Sequence, residues 1–332
     1  MENSIRISLY SAPCPYCGNP ANSQPVVRIQ YADTVDANPR IENFEGSGDV
    51  CTNCGIYFVN PRYISDAFKY LYGSLSIQSA TAVKRFASLP VRYLLQNWNH
   101  PRFVRRTLAR ALGTCFESIL MPPLPPDGFA GKHVLDVGCG DGTHLRSYKR
   151  MGYNVFGTEV LPEYARQLDA PADAVPHAIA DFTDVDWDRI RPPGGFDLII
   201  FQSVFYRLPD PAKALRAAWQ LLAPGGTLLR IEPYCPSPDA LRFMMTFNFP
   251  QGFTFVHDLT RYRETVRRFL PDATISSRVF HGRSHKHATG NELTLLTALG
   301  DIVRRLGCQA ASSEPWFIRL EIRKPDGPGS AE

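Results

Sequence analysis

The sequence has no apolar run approaching the ~20 residues that a membrane-spanning helix requires. Its opening stretch, MENSIRISLY, lacks the apolar core of a secretory leader. Strong charge is also missing: the net value is +4 over 332 residues, too mild to point to nucleic acid by itself. There is no long low-complexity tract and, apart from one short cysteine pattern, no internal repeat. Disulfide scaffolding is not indicated either. Of eight cysteines, four stand in two close pairs, while Cys115, Cys139, Cys235 and Cys308 are scattered through apolar or motif contexts. These absences lead to the expectation of a cytoplasmic protein with no membrane partner. With 44% hydrophobic and 20% charged residues, the chain is long enough for one large domain and a small one.

One absence is local. Between positions 67 and 116 there are eight Lys or Arg residues and no Asp or Glu. Within that stretch FVRRTLARALG reads as helical, with Phe103, Leu108 and Leu112 among its apolar positions. A basic helix can attract an anionic acceptor, RNA or a phosphate-bearing carrier. The plainer reading, a solvated helix face that packs a small domain onto a large one, is preferred. MPPLPPDGF at 121–129 reads as a stiff proline linker.

The paired cysteines are CPYCG, with Cys14 and Cys17, and CTNCG, with Cys51 and Cys54. Each C-x-x-C-G is a tight turn that points two sulfurs at one ion, with glycine permitting the turn. Two such knuckles supply the four thiolates of a closed, structural zinc site. The intervening PVVRIQYA and the polar, Gly-rich NFEGSGD suit a zinc ribbon of paired strands. Four unrelated buried cysteines, or two disulfides, are the alternatives.

GKHVLDVGCGDGTHL at 131–145 carries the second motif. Positions 132–137 read as a buried strand, and Gly138, Gly140 and Gly142 follow at alternate positions, then a helix from Thr143. Strand, glycine turn and helix form a nucleotide-binding unit, in which backbone approaches a ligand and a helix start offers N–H groups to an anion. Dinucleotide sites require G-x-G-x-x-G, but the sixth position here is Thr143. The G-x-G-x-G behind Asp136 resembles instead the first motif of the class I S-adenosylmethionine-dependent methyltransferases. Further segments resemble the family in order and spacing: YNVFGTEV ending near Glu159, HAIADFTDV with Asp181 and Phe182, FDLIIFQSVFYRLPDP, and AWQLLAPGGTLLRIEP. The stretch CGIYFVNPR also resembles that of methyltransferases with an N-terminal ribbon.

The resemblance implies a Rossmann-like α/β sheet that binds S-adenosylmethionine. Asp136 would lie near the cofactor's ammonium, with Gly138, Gly140 and Gly142 wrapping its amino-acid end. Asp181 and Phe182 would flank the adenine. A carboxylate at Glu159 can accept hydrogen bonds from ribose hydroxyls. Gln202 and Ser203 begin the loop after the fourth strand, placed to touch cofactor or acceptor, or simply to bridge backbone groups. Many relatives have Glu-His in that loop, where this chain has Tyr206 and Arg207. Capping of strand ends is the structural alternative for Glu159 and Asp181.

The expected organisation is a zinc ribbon over 1–62, a helical connector over 63–127, and a methyltransferase domain over 128–332 interrupted by a lid insertion over 234–291. In this reading ELTLLTALGDIVRRLG supplies the next core helix from Glu292, and CQAASSE and WFIRLEIRK the last two strands. The insertion is rich in aromatics and histidines, among them Phe253, Phe255, His257 and Tyr262. That mixture suits either an acceptor pocket or the small core of a lid. Methyl transfer needs a base only when the acceptor carries a proton of high pKa. His285 and His287 are the candidates, with surface loop histidines as the alternative. The function implied is S-adenosylmethionine-dependent methyl transfer to oxygen or nitrogen of a small biosynthetic or secondary-metabolite acceptor. The alternatives are an RNA-base methyltransferase that grips nucleic acid with the ribbon and basic helix, and a cofactor-binding regulator.

Overall fold

The computed structural model describes residues 9–19, 23–33, 42–63, 131–150, 152–169, 174–248, 252–281 and 315–326. His285, His287, the helix expected from Glu292, CQAASSE and nearly all of the 63–127 connector lie outside the described residues. Among the described residues no helix is long and apolar enough to cross a membrane.

The N-terminal part forms strands β1 (Leu9–Tyr10), β2 (Ser23–Gln30), β3 (Glu45–Cys51), β4 (Ile56–Asn60) and β5 (Arg62–Tyr63). Then come β6 (His133–Val137), α1 (Thr143–Arg150), β7 (Asn154–Glu159), α2 (Ala165–Leu168), β8 (His177–Ile179), α3 (Trp187–Ile190) and β9 (Phe196–Gln202). The chain continues through α4 (Pro211–Leu221), β10 (Leu222–Pro233), α5 (Pro238–Asn248), β11 (Thr254–Val256), α6 (Leu259–Phe269), β12 (Thr274–His281) and β13 (Pro315–Arg323).

Seven strands form one sheet in the order β12-β13-β10-β9-β6-β7-β8. The five from β10 to β8 are parallel, and β13 runs antiparallel to both β10 and β12. The strand order reverses between β6 and β9, so the crevice at the carboxyl ends of these two strands is where ligands bind in such sheets. Local sequence explains the elements. β6, HVLDV, is buried at four of its five positions, as a central parallel strand must be. α1 ends in Lys149 and Arg150, which complement the helix dipole. α4 begins with Asp210, whose side chain accepts from the Lys213 N–H, followed by Pro211 at the helix start.

The lid expectation is corrected in extent. The core does not wait for Glu292: α6 and β12 already supply the next core helix and the edge strand of the main sheet. HDLTRYRETVRRFL has the features of a helix, with Asp258 capping the Thr260 and Arg261 N–H groups and Tyr262, Thr265 and Val266 buried. Its aromatic and histidine content had hidden that pattern. What departs from the core is the shorter segment 234–256.

That segment does not stand alone. Its strand β11 pairs antiparallel with β4, completing a four-stranded sheet in the order β11-β4-β3-β2. The ribbon thus takes its fourth strand from the large domain. The Gly-rich piece of the ribbon is itself a strand, β3, for a packing reason. A Cβ at Gly48 would stand 2.5 Å from Leu241 Cδ2 and 2.9 Å from Met245 Sδ, so a side chain there would have to displace the α5 side chains that lie on the ribbon. Phe253 and Phe255 fill the seam, in one buried cluster with Val27, Tyr57, Val59, Tyr206 and Leu241. These two aromatics therefore form the core between ribbon and domain.

Candidate functional site

The glycine loop after β6 adopts the backbone its sequence demands. Gly138, Gly140 and Gly142 have φ of 70°, 54° and 76°, a region that disfavours side chains. They serve different ends. A Cβ at Gly138 would lie 2.5 Å from Val204 Cγ2, and one at Gly142 2.6 Å from Leu168 Cδ2; both glycines permit close packing. A Cβ at Gly140 would meet nothing within 4 Å, so this backbone faces open space.

Two carboxyl groups stand behind the loop. Asp136 and Glu159 are both buried. The Glu159 carboxylate accepts from Gly140 N (2.9 Å), Val160 N (2.8 Å) and Leu161 N (3.0 Å). It ties the glycine loop to the end of β7, which is the strand-capping role. Those bonds fill about three of a carboxylate's four acceptor positions. Burial raises the Glu159 pKa, and the three backbone N–H groups and the charge of Arg207 oppose that rise. Burial, and then the charge of Glu159, lift Asp136 to about 7. Two neighbouring buried carboxyls with elevated pKa values form a pocket of negative potential that a cationic ligand relieves. The α-ammonium and sulfonium of S-adenosylmethionine fit this chemistry, and the open face at Gly140 fits the close approach of its amino-acid end.

The other predicted residues follow the carboxyl ends of strands β8 and β9 of the same sheet. Asp181 caps a short 3-10 turn, accepting from Thr183 N and Thr183 Oγ1, each at 2.8 Å. Phe182 is buried against Phe201 and Trp187. Gln202 is the last residue of β9. Ser203 follows with φ of 55°, the one non-glycine residue in the left-handed region among those described, and its N–H donates to Ile231 O at 2.8 Å. Strained backbone at the end of a central strand is a common mark of a functional edge. Beyond it, Arg207 Nε donates to Tyr206 Oη at 2.8 Å.

The four cysteines converge. Their sulfurs lie within 4.8 Å of one another, with Cys17 and Cys51 Sγ 3.7 Å apart, near the ~3.8 Å edge of a tetrahedron built on 2.3 Å zinc–sulfur bonds. Both knuckles close in the same way, Gly18 N to Cys14 O at 2.8 Å and Gly55 N to Cys51 O at 3.1 Å, with φ of 65° and 68° at the two glycines. Hydrogen bonds from Cys14 and Cys54 pull the Cys51 thiol down, while those same contacts push Cys14 and Cys54 up. Without a cation such a cluster shares its protons, whereas a dication allows all four sulfurs to ionise. A four-sulfur donor set of this shape fits zinc.

Sequence reasoning missed a buried ionic network between the knuckles and the sheet. Arg230 and Glu232, two apart on β10, are 1% and 2% exposed. Arg230 donates to Glu232 Oε1 and to Tyr262 Oη, and Tyr262 Oη lies 2.9 Å from Tyr16 Oη, between Cys14 and Cys17. The Arg230 guanidinium carbon lies 3.5 Å from the Phe205 ring centroid. The available signal was two opposite charges on one face of an otherwise apolar strand, LLRIEP.

A family described as "Methyltransferase domain" matches residues 96–276, just over half of the chain. The chain belongs to this methyltransferase domain family. Its fold is that of a class I S-adenosylmethionine-dependent methyltransferase, with the strand order and glycine loop described above. The methyltransferase is 36% identical over 104 residues to a ubiquinone biosynthesis O-methyltransferase of Ralstonia nicotianae, covering 29% of this chain and 41% of that protein. A protein of the same name from Pseudomonas aeruginosa is 35% identical over 107 residues, covering 30% and 43%. The chain thus spans about two fifths of the length of these curated relatives. Among solved structures it is similar to an S-adenosylmethionine-dependent methyltransferase from Mesorhizobium loti, with a TM-score of 0.45 and 18% identity over 64% of this chain and 98% of that one.

Proposed function

We propose that this methyltransferase transfers a methyl group from S-adenosylmethionine to an oxygen of a small-molecule acceptor, and that Cys14, Cys17, Cys51 and Cys54 hold one structural zinc ion. The observation that carries the reading is the open glycine face at Gly140 set against the buried Asp136–Glu159 pair. The names of the relatives from Ralstonia nicotianae and Pseudomonas aeruginosa support oxygen as the methylated atom.

The cofactor supplies a methyl group on a sulfonium, electrophilic enough for in-line displacement. Little chemistry is then left to side chains, and orientation and exclusion of water supply the acceleration. Gly138, Gly140 and Gly142 receive the amino-acid end, with Asp136 facing its positive charge. Glu159 holds the loop and has room to accept from a ribose hydroxyl. Asp181, through the carboxylate oxygen not engaged with Thr183, and Phe182 with its ring cover the base end. Gln202 and Ser203 form the edge nearest the acceptor. A hydroxyl acceptor requires a base, and His285 or His287 is proposed for that role.

The test is incubation with labelled S-adenosylmethionine and separate pools of phenolic metabolites, sugar nucleotides and RNA. Label is expected in a hydroxyl or phenol of a small molecule; label in RNA alone would overturn the acceptor class. In parallel, calorimetry should show micromolar-order cofactor binding. Gly140→Leu should abolish it by filling the open face, and retained affinity would sink the site assignment.

A further inference from the structure

In the function proposed above, the loop at 203–210 follows β9 on the acceptor side of the crevice, and the inference rests on that reading. It begins at a strained residue, Ser203. Such a backbone persists only where its surroundings hold it. The loop also governs the cofactor side, because Val204 fills the space in front of Gly138. Among the contacts of this loop, two sets lead from it to the ribbon.

The first is a backbone chain. Val59 N on β4 donates to Phe253 O at 2.9 Å, and Phe253 N donates to Tyr206 O at 2.7 Å. β11 pairs with β4 immediately beyond, and the Tyr206 and Phe255 rings lie 5.8 Å apart. The second fastening is made of side chains. Tyr16 belongs to the Cys14–Cys17 turn, its hydroxyl meets Tyr262, Tyr262 meets Arg230, and Arg230 lies flat on Phe205 of the loop. α6 clasps the other knuckle as well: Thr265 Oγ1 reaches Cys54 O at 3.4 Å, and Arg268 reaches Asn53 Oδ1 at 3.3 Å.

We propose that the metal-bound ribbon positions the acceptor-side loop of the active site, with Tyr16 as the positioning residue that passes the knuckle's geometry through Tyr262 and Arg230 to Phe205. This rests on the reading of the four cysteines as a metal site. The network is buried and runs from Tyr16 through Tyr262 and Arg230 to Phe205, so loss of the ion loosens Tyr16 and then the support under Phe205. The cofactor contacts on β6 and β7 share none of these residues.

Hydrogen exchange of the full-length protein, read by mass spectrometry, tests the idea. The reporters are the amides of Ser203, Arg207 and Leu208, which bond to Ile231 O, Val204 O and Phe205 O. Metal removal by chelator under reducing conditions should speed exchange over 203–210 at least tenfold while 154–159 stays protected, and added zinc should restore protection. Tyr16→Phe keeps all four cysteines. It should bind one equivalent of zinc yet exchange faster than the wild-type protein over 203–210 when loaded, with a further increase on stripping as the backbone fastening through Phe253 loosens too. Unchanged protection of the stripped loop, equal loss over 154–159, or wild-type behaviour of Tyr16→Phe would each overturn the proposal while leaving the zinc reading intact. If the wild-type protein takes up no zinc in a titration followed by metal analysis, the zinc reading itself falls and the proposal falls with it.

Discussion

Gly140 and Glu159 hydrogen-bond across 19 positions of sequence, whereas Tyr16 and Tyr262 meet across 246. The cofactor edge is assembled from one βα unit and the strand after it. Its key donors are backbone N–H groups, and its side chains are two buried carboxyls, of which Glu159 feels the charge of Arg207. The ribbon edge is assembled from segments far apart in the chain, and its buried charge is already compensated, Arg230 by Glu232. One edge is prepared for a ligand that brings positive charge. The other is closed around its own ion pair and serves as scaffolding. Burial raises both carboxyls of the first edge, whereas Glu232, also raised by burial, is opposed by the Arg230 charge.

The comparison can be broken most forcefully at the metal. Cys51→Ser should lose the single zinc equivalent and lower Tm by on the order of 10 °C, since structural zinc contributes directly to folding and each kcal/mol is worth a few degrees in a chain of this size. Metal analysis and scanning calorimetry check it, and an unaltered Tm would show that the ribbon contributes nothing to the domain. The next largest effect belongs to the ion pair. Arg230→Met leaves Glu232 buried and alone and should cost about 3–5 kcal/mol in urea unfolding, while adding Glu232→Leu should recover most of it. If the double variant is no better than the single, the network is not a closed pair.

At the cofactor edge the expected effect depends on pH. A carboxyl whose pKa is raised by folding stabilises the protein below its unfolded value, near 4, and that stability is lost as pH rises through the folded value, about 7 for Asp136. Asp136→Asn should therefore make the ligand-free protein more stable at pH 8 by a few kcal/mol, flatten its stability between pH 4 and 7, and weaken cofactor binding. Unfolding curves across that range check the sign; a variant less stable at pH 8 would mean that Asp136 is paired with a cation in the free protein. The smallest effect is at Glu159. Glu159→Ala should weaken cofactor binding by about 1–3 kcal/mol through loss of its charge-assisted bonds to the loop, measured by titration calorimetry.

The glycine loop and the carboxyls behind it were largely legible in the sequence because their geometry is local. A strand followed by glycines at alternate positions can do little other than turn sharply, and the spacing from Asp136 to Glu159 is that of one crossover. The knuckles were legible for the same reason: C-x-x-C-G prescribes a turn that closes on itself. The lid expected over 234–291 is shorter in the structure because aromatics and histidines within it overlie a capped helix followed by TISSRVFH as an edge strand. Asp181 was named for the base end, and its visible work is to cap the turn before Phe182.

By itself, then, the sequence determined the class of sheet, the backbone of the glycine loop and the convergence of four sulfurs, since each depends on torsions and spacings within a short stretch. Only the tertiary structure decided that β11 would pair with β4, that Gly48 exists to admit Leu241, and that Arg230 would lie between Tyr262 and Phe205. The physical reason is that a strand's open edge and a buried charge specify only that some partner must come. Which residue comes is settled by how the rest of the chain packs.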